Sequence, residues 1–257
     1  MHIMALHGFT GRGCDFDFIS NLIGGVWRCP DMPGHGPDPH LDCSPEASIR
    51  FIENEIFQAD YDALKSIKVL LGYSMGARAA MQHVLTNTSA WDAVILISPQ
   101  PGIENKYERI SRNEQDTILE NRILREGVRK FVEFWQQTDL IKSQDKIASE
   151  LRLVMQTARY EHTSQGLATS LREFGQGRCP NLWPKVKDLT LPTLIITGSE
   201  DTLYTEIAQN IIKINTCMHK EVRPQLAIIE DAGHAPHLER PEITATKIRE
   251  FIEQIDR

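Results

Sequence analysis

Three residues far apart in this sequence can together move a proton. Ser74, Asp201 and His234 supply a hydroxyl, a carboxylate and an imidazole. A serine hydroxyl alone is a weak nucleophile and a weak base. A histidine must take its proton, and a carboxylate must fix the imidazole tautomer and steady the imidazolium. Ser74 is the centre of Gly72-Tyr73-Ser74-Met75-Gly76, with the apolar run Val69-Leu70-Leu71 before it and Ala77, Ala79, Ala80 and Met81 after it. That pattern predicts a strand, a tight turn and a helix, with the serine at the apex and two glycines letting strand and helix come close. Asp201 follows the apolar run 189–197, and His234 follows the run 223–229. All three residues therefore stand just beyond the C-terminal end of a predicted strand. Two roles have competitors: Glu200 and Asp231 for the acid, and His237 for the base. His237, three residues after His234, is expected to cap the following turn.

Negative charge that builds on a substrate oxygen needs donors. The first predicted strand, 1–6, runs into His7-Gly8-Phe9-Thr10-Gly11-Arg12-Gly13. A glycine-rich loop at the C-terminal end of a strand is where open α/β sheets bind ligands. The backbone N–H groups of Phe9 and Met75 are the predicted oxyanion donors. His35, in the Pro- and Gly-punctuated loop 30–36, is expected to be structural, held in a turn.

These residues need a scaffold, and the rest of the chain supplies one. Strands are predicted at 1–6, 25–29, the elbow strand that ends at Gly72, 91–97, 189–197 and 223–229. Helices are predicted at 15–22, 44–57, 77–86, 205–214 and 241–255. Strands that alternate with helices pair in parallel, so the expectation is an α/β fold with a mostly parallel, doubly wound sheet. The alternation stops from Gly102 to about Asn181. Helix-favouring stretches at 107–124, 126–137, 143–157 and 164–174 fill that interval instead. The expected organisation is a core of residues 1–100 and 185–257, with residues 101–184 inserted as a helical cap over the ligand edge of the sheet.

Composition narrows the partners. The chain has 257 residues, 41% hydrophobic and 25% charged, with a net charge of −7. Such a background provides no basic field for nucleic acid or an anionic membrane, so any anion site must be built locally from a few arginines. The five cysteines (Cys14, Cys29, Cys43, Cys179 and Cys217) are odd in number and form no Cys-x-x-Cys pair. Neither a disulfide framework nor a metal site is expected, and reduced thiols fit a cytoplasmic protein. No cofactor is expected. No run approaches the ~20 apolar residues of a membrane span, and no signal peptide is expected ahead of the first strand. A small-molecule substrate is the expected partner, and a monomer is compatible with the sequence.

The chain order Ser, Asp, His is that of α/β-hydrolases. His7-Gly8-Phe9, Asp31-Met32-Pro33-Gly34-His35-Gly36, Gly72-Tyr73-Ser74-Met75-Gly76-Ala77-Arg78 and Gly233-His234 together resemble that fold along nearly the whole chain. Within it, Gly-Tyr-Ser-Met-Gly-x-Arg resembles the MenH family, the 2-succinyl-6-hydroxy-2,4-cyclohexadiene-1-carboxylate synthases of menaquinone biosynthesis. Ser98-Pro99-Gln100-Pro101-Gly102-Ile103, Arg109-x-x-Arg112, Phe131-x-x-x-Trp135, the run from Leu167 through Arg172 to Gly177, and Leu182-Trp183-Pro184 are similar to that family as well.

The resemblance implies a lyase that eliminates pyruvate from 2-succinyl-5-enolpyruvyl-6-hydroxy-3-cyclohexene-1-carboxylate. Ser74, activated by His234, would remove a ring proton. The family's carboxylate-binding arginines map to Arg78, Arg112 and Arg159, while Tyr73 and Trp135 would line the pocket. Arg109 and Arg122 are alternatives among the arginines, and Phe134 is the alternative to Trp135. Residue chemistry supports a polycarboxylate substrate. Arginine matches a carboxylate bidentately, and Arg78 follows Ser74 by four residues, one helical turn, and so can face the same cavity. The sequence departs from the family after Asp201, where Thr202-Leu203-Tyr204 replaces the expected Lys-Phe, and at the start of the chain, where little or no sheet precedes the His-Gly-Phe strand. The alternative activity on the same triad is that of a carboxylesterase or thioesterase acylated on Ser74.

Overall fold

The computed structural model describes residues 1–58, 66–86, 88–218 and 224–255. Its centre is four strands with almost no exposed residue: β1 (His2–Leu6), β3 (Lys68–Tyr73), β4 (Ala93–Ile97) and β5 (Thr193–Gly198). Strands covered on both faces read as continuous apolar runs and pair in parallel, because the connections between them cross over the sheet. Two more exposed strands, β2 (Val26–Arg28) and β6 (Gln225–Ile229), close the edges. The order is β2-β1-β3-β4-β5-β6, and every neighbouring pair is parallel. The chain moves one way from β1 to β2 and the other way from β3 onward. This reversal opens a crevice between the C-terminal ends of β1 and β3.

Alternation along the strands builds two apolar layers. Ile3, Val69, Leu71, Ile95 and Ile196 face one way and pack with Ala245, Ile248 and Phe251 of α9 (Pro241–Ile255) and Ile19 of α1 (Asp17–Ile23). Met4, Leu70, Val94 and Ile195 face the other way. They pack with Ala77, Ala80 and Met81 of α3 (Met75–Val84), Ile52 of α2 (Pro45–Gln58) and Ala208 and Ile211 of α7 (Thr202–Met218).

Several elements differ from expectation in their bounds. The helix after Ser74 begins at Met75, two residues early, because Ser74 itself is the N-cap. The helix after Asp201 begins at once, at Thr202. The last predicted strand was placed from Arg223, which lies outside the described residues, and β6 starts at Gln225. A short helix, α8 (Pro236–Glu239), follows His234 where only a turn was expected.

Between β4 and β5 the chain leaves the sheet and forms α4 (Lys106–Trp135), α5 (Ser149–Tyr160) and α6 (Ser164–Phe174). The two helices predicted at 107–124 and 126–137 are the two arms of α4, which breaks at Gly127 with φ 81° and ψ 165°. The start predicted for α5 at 143 is instead a 3-10 turn, Lys142–Lys146. Ile123 and Phe131 of α4 and Leu167, Ala168 and Leu171 of α6 form a small apolar cluster, against which Phe9 of the loop after β1 also packs. The inserted helices therefore rest on the same sheet edge that carries the candidate residues. Among the described residues, no helix is long and apolar enough to cross a membrane.

Candidate active site

Ser74 occupies the turn between β3 and α3 with φ 51° and ψ −105°, a strained conformation for a residue that is not glycine. The strain persists because the surroundings enforce it. The Ser74 N–H donates to the Ile97 carbonyl of β4 at 2.9 Å, and its carbonyl accepts the Arg78 N–H at 3.1 Å. A side chain at Gly76 would collide with the Leu6 carbonyl of β1, and one at Gly72 would meet the Gly76 backbone. The two glycines thus let α3 press against the sheet and lift the serine from its edge.

His234 follows β6 and reaches across the same edge. Its Nε2 accepts from the Ser74 hydroxyl at 2.9 Å, and its Nδ1–H donates to Asp201 Oδ2 at 2.6 Å. The second Asp201 oxygen accepts from the Tyr204 backbone N–H in the first turn of α7, at 3.4 Å. One carboxylate thus orients the imidazole while a helix N-terminus favours its charge. The competitors fall elsewhere. Glu200 is engaged by Lys146 and points outward. Asp231 is exposed, and its backbone carbonyl also accepts from Lys146.

His237 is buried between Phe16, stacked at 5.4 Å, and Tyr73, at 4.5 Å. Neither of its ring nitrogens has a hydrogen-bond partner, so the expected turn cap is not made. Burial, and secondarily the nearby His234, lower its pKa to about 3, which leaves it a neutral packing residue.

The loop of His234 is clamped by residues that pattern reading did not single out. Buried Glu239 accepts from the Gly233 N–H at 2.6 Å, the Ala235 N–H at 3.1 Å and the Ser143 hydroxyl at 3.0 Å. The Ser98 hydroxyl donates to the His234 carbonyl at 2.8 Å. The residues on both sides of the imidazole are therefore tied to one carboxylate. Their only signal in the sequence is a Glu and a Ser near predicted strand ends, which is too common to stand out.

The two expected backbone donors belong to residues that line the same cleft as Ser74. Met75 is the first residue of α3, so its N–H is one of the unpaired donors of a helix start. Phe9 is placed by the loop after β1, and three buried histidines hold that loop. His35 Nε2 accepts from the Thr10 N–H at 3.3 Å, and His162 Nε2–H donates to the Thr10 carbonyl at 3.0 Å. His7 accepts from the Met32 N–H at 2.8 Å and tethers the loop that carries His35. His35 is thus structural, as expected, and burial lowers its pKa to about 4. Each of these rings spends its nitrogens on backbone groups. Among the described residues, no group of three or more His, Cys, Asp or Glu is arranged to hold a metal ion.

A cleft opens in front of Ser74. The core contributes Phe9, Ser74, Met75, Arg78 and Tyr204. The inserted segment contributes Arg112, Trp135, Leu140, Ser170, Leu171, Phe174 and Gln176. Arg78 donates to the Phe174 carbonyl at 3.1 Å, its Nε has no partner, and among the described residues it makes no ion pair. Arg112 is held by Asp116 at 2.8 Å and by the Gln176 side chain. Trp135 stacks on Phe131 and meets Phe9 edge-on at 5.5 Å. Of the alternatives, Arg122 pairs with Glu126 and lies over Phe134, so both turn away from the cleft, and Arg109 does not line it.

Two predicted lining residues are not brought here. Tyr73 shares its strand face with Val69 and Leu71, so its ring is buried with α9 behind His234. Arg159 is buried on α5, bonded to Gln144 at 3.0 Å, and lines a separate cavity with Gln136, Gln144 and Arg152.

The model of the alpha/beta hydrolase family matches residues 3–247. A Bacillus subtilis (strain 168) protein provisionally named 2-succinyl-6-hydroxy-2,4-cyclohexadiene-1-carboxylate synthase is 33% identical over 98% of this chain and 90% of its own length. The chain belongs to the alpha/beta hydrolase family, in its MenH branch. A Serratia proteamaculans relative named 2-succinyl-6-hydroxy-2,4-cyclohexadiene-1-carboxylate synthase is 24% identical over 96% of this chain and 91% of its own length. The solved structure of MenH from S. aureus superposes with a TM-score of 0.86 at 24% identity, covering 100% of this chain and 95% of that one. At that identity the superposition speaks for the fold. Four cysteines in the described part, Cys14, Cys29, Cys43 and Cys179, are free thiols, and the Cys217 side chain lies outside it.

Proposed function

We propose that this chain is a carbon–oxygen lyase, a 2-succinyl-6-hydroxy-2,4-cyclohexadiene-1-carboxylate synthase of menaquinone biosynthesis. One observation carries the reading: the hydroxyl hydrogen-bonded to His234 opens onto a cleft that contains two arginines, one of them without an acidic partner. An arginine facing an apolar ester pocket would be desolvated for nothing. Facing a carboxylate, it makes a charge-assisted and often bidentate pair. The names of the B. subtilis and Serratia relatives support the same substrate.

In this reading His234 takes the Ser74 proton, and Ser74 Oγ removes a proton from the ring of 2-succinyl-5-enolpyruvyl-6-hydroxy-3-cyclohexene-1-carboxylate. The C–H electron pair becomes a ring double bond as the bond to the enolpyruvyl oxygen breaks. The imidazolium returns a proton to the departing enolate, which leaves as pyruvate, so no covalent enzyme intermediate is needed. Asp201 steadies the imidazolium. The Phe9 and Met75 N–H groups hold the negative charge that the ring system passes to oxygen. Arg78 and Arg112 anchor carboxylates, and Trp135 forms an apolar wall of the cleft. Residues 101–184 act as a cap over a core of residues 1–100 and 185–257.

The test is direct. Purified protein mixed with the enolpyruvyl substrate is expected to release pyruvate and produce the conjugated-diene absorbance together. Rapid cleavage of short p-nitrophenyl esters with no diene formed would instead assign the triad to acyl transfer.

A further inference from the structure

The cleft contains a buried hydroxyl that the mechanism above does not use. Tyr204 lies three residues after Asp201 in the first turn of α7 and is only 5% exposed, yet it lines the cleft with Ser74, Arg78 and Arg112. Its ring stands edge-on to His234 with centroids 4.4 Å apart, and its backbone N–H is bound to Asp201. Burying a hydroxyl beside two guanidinium groups has a desolvation cost unless the group finds partners.

The oxygen of the Gln176 side chain is occupied by the Arg112 guanidinium. The Gln176 amide remains a donor on the same cleft wall as Tyr204. The phenol is an O–H donor on the wall of the cleft that also holds the two guanidinium groups. Burial raises the phenol pKa although Arg78 and Arg112 oppose it, so the hydroxyl stays protonated at neutral pH.

We propose that Tyr204 is a substrate-binding residue whose hydroxyl donates to a carboxylate held between Arg78 and Arg112. The proposal rests on the polycarboxylate reading of the cleft and deepens it: one carboxylate subsite is built from two cations and a neutral donor.

Tyr204→Phe removes the hydroxyl and keeps the ring against His234. The probe is tricarballylate, an unreactive tricarboxylate, titrated calorimetrically into the wild-type protein and the variant. The expected result is a tenfold to hundredfold weaker Kd for Tyr204→Phe, the range of a lost hydrogen bond to a charged group, at about tenfold per 1.4 kcal/mol. In diene formation the variant should show a raised KM. Equal tricarballylate affinity in the two proteins would overturn the proposal. So would a lower kcat with a shifted pH profile at unchanged Kd, because the ring would then serve only to position His234. Failure of the wild-type protein both to bind tricarballylate and to form diene would refute the polycarboxylate reading itself, and is recognised without the variant.

Discussion

The sheet edge and the inserted helices both face the cleft, but they are held in place differently. Ser74, Asp201 and His234 stand at the ends of β3, β5 and β6, whose register is set by backbone pairing and whose faces are sealed by two apolar layers. The insertion has one small apolar cluster of its own. It also joins the two core layers, through Phe174 and Leu182 on one side and Ile147 and Met155 on the other, and makes polar contacts: Ser143 to Glu239, Lys146 to Glu200, and His162 to the Thr10 carbonyl. It also exposes Ile118, Leu124, Leu153 and Val154. In this molecule the sheet fixes Ser74, Asp201 and His234, and the insertion supplies most of the cleft wall. Substitutions on the sheet edge should therefore reduce kcat, whereas those in the cleft wall should raise KM.

The largest effect should come from the sheet edge. Ser74→Ala is expected to lower kcat for diene formation by about a thousandfold or more while tricarballylate binding, measured by calorimetry, is unchanged. A comparable loss of binding would erase the distinction between the two regions.

The loop that carries Phe9 connects the regions, and its stability should depend on pH. His35 is neutral in the fold, with a pKa of about 4 against an ordinary 6.5. Below pH 6.5 the unfolded chain takes up a proton at this site that the folded chain does not. The contribution is therefore intact above pH 6.5 and is lost as pH falls toward 4, up to about 3 kcal/mol. Denaturant titrations across that range should show a shallower decline for His35→Gln than for wild type. His7 and His162, packed around His35, keep their own share of the slope.

Arg78→Ala should raise KM for the tricarboxylate by about tenfold to a hundredfold, the loss of a charge-assisted contact, and leave hydrolysis of a neutral ester unchanged. Steady-state kinetics on both substrates checks it, and equal effects would remove the carboxylate role. The smallest effect belongs to the insertion alone. Gly127→Ala places a side chain in open space at φ 81° and ψ 165°, backbone that essentially only glycine adopts, and should reduce stability by roughly 1–3 kcal/mol. Thermal unfolding reads this as a few degrees, with kcat untouched.

The same contrast explains what is legible in the sequence. Ser74, Asp201 and His234 were legible because each follows an apolar run ended by glycine or a turn, and a parallel sheet gathers such ends onto one edge. Arg78 was legible from a single helical turn. Tyr73 was misplaced because the alternation of β3 sends its side chain to the α9 layer, away from the cleft, and the face of a fully buried strand cannot be told from its apolar pattern. Arg159 lies elsewhere because it is buried toward the 142–146 turn, where it bonds Gln144, and nothing in the spacing indicates that turn. Gln176 and Glu239 act through partners 64 and 96 residues away in sequence, Arg112 and Ser143, and such pairings have no local signature.

The central claim is that Ser74 acts as a base toward a ring C–H and is never acylated. The most direct measurement is single-turnover diene formation with substrate deuterated at the ring carbon that loses its proton. The account predicts that deuteration slows diene formation severalfold, with the enzyme mass unchanged throughout the turnover. Equal rates for the two isotopologues, accompanied by a mass adduct on Ser74, would contradict it.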